Sequence, residues 1–188
     1  MKGRSQPTQP RVVLTIGHST RTVEELIQLL EGQDVRRLVD VRTIPRSRHN
    51  PQFNAEELAS ALKAARIGYL HKAGLGGLRH PHKDSINTGW RNLSFRGYAD
   101  YMQSDEFRKN LEELIDLAQQ ERIAVMCAEA LPWRCHRSLI GDALVVRGIR
   151  VEDILGKGQT HPHTLTPWAQ VEGVQITYPR RFEYFASH

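Results

Sequence analysis

The sequence of 188 residues has few cysteines, no long apolar run and no low-complexity tract. No apolar stretch approaches the roughly 18 residues that a membrane-spanning helix requires, and the polar first ten residues lack the apolar segment of a secretory signal. Two cysteines are too few for a disulfide-rich secreted scaffold. We therefore expect a cytoplasmic protein without membrane contact, with residues 1–10 as a disordered leader and residues 11–188 as a single domain.

Positive charge exceeds negative charge along the chain. There are 26 lysines and arginines against 21 aspartates and glutamates, a formal net charge of +5. This excess favours an anionic partner, either a small phosphorylated ligand or a nucleic acid. A charge of this size is also common on small soluble domains, so the positions of the arginines are more informative than their sum.

Short apolar runs alternate with amphipathic helical patterns through most of the chain. Predicted strands cover residues 11–16, 37–41, 68–71, 123–126 and 151–155, and predicted helices follow Thr22, Asn54, Ser104 and His136. Strands that alternate with helices pair in parallel and are covered on both faces. The sequence thus predicts an α/β fold, a three-layer α/β/α single domain with a mostly parallel, Rossmann-like sheet. A short helix at 98–102 and a late strand at 174–178 are also expected.

Four of the predicted strands end in unusual polar groups. These groups are Gly17-His18-Ser19, Asp40-Val41-Arg42, His71-Lys72 and Cys127-Ala128-Glu129. Because the carboxyl ends of parallel strands meet at one edge of a sheet, we expect all four segments to line one cleft.

Both cysteines lie in a predicted strand-to-helix turn, where the start of the helix favours thiolates and anions. Cys135, beside His136, is therefore a candidate nucleophile, and Cys127 at the end of the strand competes for that role. Cysteine phosphatases and rhodaneses use a C-x5-R cradle, whereas six residues separate Cys127 from Arg134 here. Their particular chemistry is not indicated.

Carboxylates, imidazoles and guanidiniums near this turn suggest further roles. Glu129 and Asp40 are candidate general acids or bases, and His18 is a candidate proton carrier near neutral pH. The candidates for binding an anionic substrate are Arg42, Arg46, His136 and Arg137.

Metal ligation is an alternative use of the same residue types. Cys127, Cys135, His136 and His18 are potential ligands, but structural zinc usually shows tight pairs such as C-x2-C, and none is present. We therefore predict no metal site, and the residues indicate no particular cofactor.

Several blocks together resemble the signatures of one family, the domain-of-unknown-function 488 family (DUF488). They are Thr15-Ile16-Gly17-His18-Ser19, Val39-Asp40-Val41-Arg42, Pro45-Arg46-Ser47, Pro51-Gln52-Phe53-Asn54, Leu75-Gly76-Gly77, Gly97-Tyr98-Ala99-Asp100-Tyr101-Met102, Met126-Cys127-Ala128-Glu129 and Cys135-His136-Arg137. One position departs, because the family pattern leads us to expect a histidine where Asp153 stands. The resemblance implies a single α/β domain with one shared pocket, and it brings no established reaction. The site candidates that it carries over are His18, Asp40, Arg42, Arg46, Cys127, Glu129, Cys135, His136 and Arg137.

Three functions are compatible with these observations. The first is a cysteine- or carboxylate-dependent hydrolase or transferase that acts on a small phosphorylated or nucleotide-like anion. The second is a non-catalytic nucleic-acid-binding module that uses the basic loops with Trp90, Phe95 and Tyr98. The third is a metal- or cofactor-binding protein that uses cysteine and histidine.

Overall fold

The computed structural model describes residues 12–180, which form eight strands and five α-helices. The predicted leader and the last part of the predicted domain lie outside the described residues. The elements are β1 (Val12–Gly17), α1 (Val23–Glu31), β2 (Arg37–Asp40), α2 (Ala55–Ala64), β3 (Gly68–His71), α3 (Leu93–Tyr101), α4 (Asp105–Gln120), β4 (Ile123–Cys127), α5 (Arg137–Val145), β5 (Arg150–Gly156), β6 (Gln159–Pro162), β7 (Gln170–Glu172) and β8 (Gln175–Thr177).

Six strands form one sheet in the order β3-β2-β4-β1-β5-β6. The first five are parallel, and β6 adds an antiparallel edge beside β5. The predicted three-layer α/β fold with a mostly parallel sheet is confirmed. The late strand β8 instead pairs with β7 in a separate two-stranded sheet. The sequence did not predict β6 or β7, because their side chains are mostly exposed and carry no apolar pattern.

Helices cover both faces of the large sheet. Leu14 and Ile16 of β1 belong to the core beneath α1 and α2, while Val13 belongs to the core beneath α4 and α5. Successive strand residues point to opposite faces, so a strand buried on both sides is a continuous apolar run. This explains why these strands were visible in the sequence.

Short polar caps fix where the helices begin. Thr22 accepts a hydrogen bond from the Glu25 backbone N–H at 3.1 Å, and the Glu25 carboxylate accepts one from the Thr22 N–H at 2.8 Å. This reciprocal capping box matches the prediction for α1. In contrast, α3 begins at Leu93, five residues before the predicted helix at 98–102. Asn92 caps it there by accepting hydrogen bonds from the backbone N–H groups of Ser94 and Phe95.

The chain connections open a crevice at the carboxyl edge of the sheet. β4 lies between β1 and β2, and the chain leaves β1 and β2 toward α1 and α2 on one face. From β4 it leaves toward α5 on the opposite face. Ligands of open α/β sheets bind where neighbouring connections diverge in this way.

No helix within residues 12–180 is both long enough and apolar enough to cross a membrane.

Replacing Gly17 with alanine should destabilise the fold, because a Cβ there would overlap the backbone carbonyl of Glu129 and approach the Ala130 Cα to 2.7 Å. We expect a loss of about 3 kcal/mol in the free energy of unfolding, since backbone rather than a flexible side chain must move. Denaturant unfolding measures it. The control is Gly32→Ala, at a right-handed helical φ of −62°, which should change stability by under about 1 kcal/mol; equal effects would contradict the prediction.

Candidate active site

A cleft of about 780 Å³ lies at the carboxyl edge of the sheet, and three of the four predicted strand ends line it. His18 follows β1, Arg42 follows β2, and Cys127 and Glu129 lie at the end of β4. Loops and the first turn of α3 contribute most of the remaining lining, namely Thr43, Ile44, Arg46, Ser47, Asn50, Gly77, Leu78, Asn92, Ser94, Phe95, Ala130, Arg134, Cys135 and His136.

The fourth predicted strand end, His71-Lys72, does not line the cleft. β3 is the edge strand beyond β2, so its end lies outside the crevice. His71 Nε2 bonds the Arg42 carbonyl at 2.8 Å, and Lys72 forms a salt bridge with Glu113 at 2.6 Å. Both side chains therefore support neighbouring segments instead of facing a ligand.

Both cysteines and His136 converge at the floor of the cleft. Their sulfur atoms and a ring nitrogen lie within 4.8 Å of one another, and the Cys135 Sγ is 3.7 Å from His136 Nδ1. The other ring nitrogen, Nε2, is 3.3 Å from the Val41 carbonyl oxygen. Because a carbonyl only accepts, Nε2 must carry a hydrogen, which leaves Nδ1 free to accept the thiol proton of Cys135.

The surroundings of the two thiols shift their pKa values in opposite directions. The neighbouring Cys127 thiol, together with His136 and the positive charge of Arg137, holds the pKa of Cys135 well below its usual range, although burial opposes this. The pKa of Cys127 is raised by the neighbouring Cys135 and by burial. Cys135 is therefore the thiol of the pair that loses its proton more readily.

Close packing holds the His136 ring in place. The Tyr98 ring lies 5.0 Å from it, and the Tyr98 hydroxyl is anchored on the Leu75 carbonyl at 2.9 Å. Gly77 lies so close that a Cβ there would meet ring atoms of His136. The glycine of the Leu75-Gly76-Gly77 block therefore makes room for the imidazole.

Asp40 lies beneath the cleft, and its carboxylate already has hydrogen-bond partners within the protein. Its carboxylate accepts hydrogen bonds from Arg42 Nε at 2.9 and 3.1 Å and from Nη2 at 2.6 Å, and it also accepts the Tyr69 hydroxyl at 2.8 Å. Burial alone would lower the pKa of Arg42, but the hydrogen bonds and charge of Asp40 raise it. The fully buried Asp40 is therefore placed as the partner of Arg42, and this geometry does not favour it as a general base.

His18 borders the cleft but is only 2% exposed and stacks on Phe53, with ring centroids 4.2 Å apart. Burial lowers the pKa of His18 to about 4, and the charge of Arg42 adds to this, while the hydrogen bond to the Ser19 carbonyl opposes it. A histidine with this pKa is neutral at pH 7. Its position does not favour the predicted role as a proton carrier near neutral pH.

Arg137 does not reach the cleft. It is 1% exposed and donates to the Thr15 hydroxyl at 3.1 Å and to the Glu129 carbonyl at 2.6 Å. Thr15 in turn donates to Asp153, the position where the family pattern led us to expect histidine. Arg137 therefore ties the loop after β4 to the sheet, and this geometry favours a structural role over the predicted grip on an anion.

Two arginines at the mouth of the cleft have no such internal partner. Within residues 12–180, the guanidiniums of Arg46 and Arg134 make no hydrogen bond or salt bridge, and both side chains are exposed. Glu129 is the one carboxylate among the residues that line the cleft, and its Oε1 accepts the Leu131 N–H at 3.2 Å. Arg134, which directly precedes Cys135 in the sequence, joins the site candidates because it lines the cleft.

The fold and the site define a single α/β domain with a cysteine, histidine and arginine cleft at the carboxyl edge of a parallel sheet. The family model "Domain of unknown function DUF488" matches residues 22–144, about two thirds of the chain, and the protein belongs to this family. No curated protein and no solved structure matches the chain. The Thr15–Ser19 block lies before the matched residues, yet the fold places His18 and Ser19 on the same cleft.

Folding stability should fall as the pH drops from 6.5 toward 4. In this window the buried His18 stays neutral while a histidine of the unfolded chain binds a proton, so the unfolded state gains stability. The loss that His18 contributes should reach roughly 3 kcal/mol near pH 4. Denaturant unfolding of the wild type and of His18→Gln at pH 7 and at pH 4 measures it. Equal pH dependence in the two proteins would contradict the assignment.

Proposed function

We propose that this protein is an enzyme, a cysteine-dependent hydrolase or transferase that acts on a small phosphorylated or nucleotide-like anion. The observation that carries the proposal is the contact of Cys135 Sγ with His136 Nδ1 at the floor of a cleft whose mouth carries two exposed arginines, Arg46 and Arg134. Nucleophile and base lie side by side, and the Val41 carbonyl orients the base, which is the arrangement that nucleophilic catalysis requires.

The charge of the cleft supports an anionic substrate. Arg46 and Arg134 present guanidiniums that no other residue of the described part of the chain binds, and Arg42, although paired with Asp40, also borders the cleft. Guanidiniums bind phosphate and carboxylate groups through paired hydrogen bonds. The volume of about 780 Å³ is in the range of pockets for small molecules and nucleotides.

The reaction would begin when the Cys135 proton passes to His136 Nδ1. Sγ then forms a bond to the electrophilic phosphorus or carbon atom of the substrate, and the bond to the leaving group breaks. The leaving group departs with that electron pair and takes a proton from His136. Water, or an acceptor hydroxyl in a transferase, gives its proton to His136, attacks the same atom and displaces the sulfur as thiolate.

Glu129 is the carboxylate placed to assist proton transfer, since it lines the cleft beside Cys127. Both cysteines are free thiols, which fits the reducing cytoplasm in which we propose that the enzyme works.

Removing either free arginine should weaken anion binding. We expect Arg46→Ala and Arg134→Ala each to reduce the affinity for adenosine monophosphate and for inorganic phosphate about tenfold, or about 1.4 kcal/mol. Isothermal titration calorimetry measures both ligands. Arg48→Ala is the matched control, because Arg48 is exposed in the same loop but does not line the cleft. An equal loss in all three variants would indicate a general charge effect and contradict a defined anion site.

Replacing the nucleophile should stop the chemistry without abolishing binding. In a screen of nucleotides and sugar phosphates, we expect Cys135→Ser to lower turnover about 10³-fold or more and His136→Gln about 10²-fold, with affinities within about threefold. Mass spectrometry of quenched wild type should find the adduct on Cys135. His80→Gln, an exposed histidine outside the cleft, is the control. An adduct on Cys127, or full activity in Cys135→Ser, would refute this assignment.

Nucleic-acid binding is the second candidate function, and one observation favours it. Trp133 is 61% exposed and directly precedes Arg134 at the mouth of the cleft. An exposed indole beside a guanidinium can stack on an unpaired base and hold its phosphate. Binding of single-stranded oligonucleotides that weakens steeply with salt, that falls in Trp133→Ala, and that Cys135→Ser does not change would support this function over catalysis.

A further inference from the structure

Three metal-binding atoms lie together where the sequence showed no metal motif. Cys127 ends β4, and the consecutive residues Cys135 and His136 directly precede α5, so all three lie at the two ends of the connection from β4 to α5. Their donor atoms all lie within 4.8 Å of one another, and no other such cluster of histidine, cysteine and acidic side chains occurs within residues 12–180.

The spacing suits a small tetrahedral ion. Zinc binds sulfur at about 2.3 Å and imidazole nitrogen at about 2.0 Å, which separates neighbouring donors by roughly 3.5 to 3.8 Å in a tetrahedron. The distance from Cys135 Sγ to His136 Nδ1 is 3.7 Å. This pair therefore already has the separation of two zinc ligands, and Cys127 needs at most a small side-chain adjustment.

The surroundings prepare the imidazole as a ligand. Metal-bound histidines usually donate the hydrogen of their other ring nitrogen to a carbonyl or carboxylate, which fixes the ring. Here His136 Nε2 donates to Val41, and Gly77 and Tyr98 pack against the ring. Nδ1 is left without a hydrogen, directed toward the sulfur atoms.

We propose that Cys127, Cys135 and His136 bind one Zn²⁺ ion, with its fourth coordination position open to the cleft. Two thiolates and an imidazole are ligands that Zn²⁺ prefers, and three protein ligands with one open position are typical of reactive zinc sites. The site goes beyond the proposed function. Coordination to Zn²⁺ withdraws electron density from the Cys135 sulfur and lowers its nucleophilicity, so bound Zn²⁺ should suppress the covalent route through Cys135.

The first test is zinc binding by the full-length protein after its metals have been removed with a chelator. Competition with a chromophoric zinc indicator should give one Zn²⁺ per chain with a Kd below about 1 µM. Cys127→Ser and Cys135→Ser should each weaken binding about 100-fold or more, and His80→Gln should leave it unchanged. Mg²⁺ should not compete. Binding that survives both serine variants, or no stoichiometric binding, would overturn the proposal.

Cobalt provides a readout that does not depend on affinity. Co²⁺ at this site should show sulfur-to-metal charge-transfer absorption in the near ultraviolet and strong visible bands of tetrahedral geometry. Each serine variant that still binds should lose about half of the charge-transfer intensity. In the wild type, Zn²⁺ should slow alkylation of Cys135 by iodoacetamide at least tenfold, which tests the site even if a variant fails to fold. Bound Co²⁺ without charge transfer, or alkylation that Zn²⁺ does not slow, would overturn the proposal.

The proposed zinc site and the proposed covalent mechanism can be contradicted independently of each other. If turnover proceeds in metal-free protein and Zn²⁺ inhibits it stoichiometrically, both proposals stand. If turnover proceeds and no Zn²⁺ binds, only the zinc site fails. If turnover requires Zn²⁺, the site stands and the covalent role of Cys135 fails.

Discussion

The site depends on the parallel pairing of β4 with both β1 and β2. In this register Gly17 lies opposite Cys127, and Asp40 lies opposite Met126, so the three strands end at one level. The connection after β4 leaves on the opposite face from those after β1 and β2, and the space between them becomes the cleft. A register slip of one residue would turn Cys127 to the other face of the sheet, away from His136. The geometry of the cleft thus depends on how the strands of the sheet pair more than on any loop.

Burial separates the arginines of this region into two groups. Arg42 and Arg137 are buried, and their guanidiniums hold Asp40, Thr15 and backbone carbonyls. A buried charge is tolerated only when it is paired and hydrogen-bonded, so these side chains are committed to the protein itself. The exposed guanidiniums at the mouth of the cleft need no such partner, because water solvates their charge. The buried arginines stabilise the protein around the cleft, and the exposed ones are those that we propose bind an anion.

The order of strands and helices followed from local patterns, since strands buried on both faces and capped amphipathic helices leave clear signals in sequence. The edge at which the site lies also followed, because parallel strands must end together. The sequence did not show which strand ends meet, because the order of the strands in the sheet decides this. β3 is an edge strand, so His71 lies outside the cleft. The pairing of Asp40 with Arg42 was also hidden, because a carboxylate in a salt bridge and a catalytic carboxylate look alike in sequence. The edge strand β6 and the strand β7, which pairs with the predicted late strand, were missed because exposed strands carry no pattern of buried apolar residues.

The convergence of Cys127, Cys135 and His136 suits two chemistries for one reason. A nucleophile and a zinc ligand both need a sulfur electron pair directed into the cleft, and both need an imidazole whose Nδ1 is bare. The hydrogen bond from His136 Nε2 to Val41 provides the second requirement in either case. Cys127 distinguishes them, because a nucleophile needs only a hydrogen-bond donor there, whereas a metal needs a second thiolate. A hydroxyl can replace the first of these functions but not the second, so only a bound metal would require sulfur at position 127.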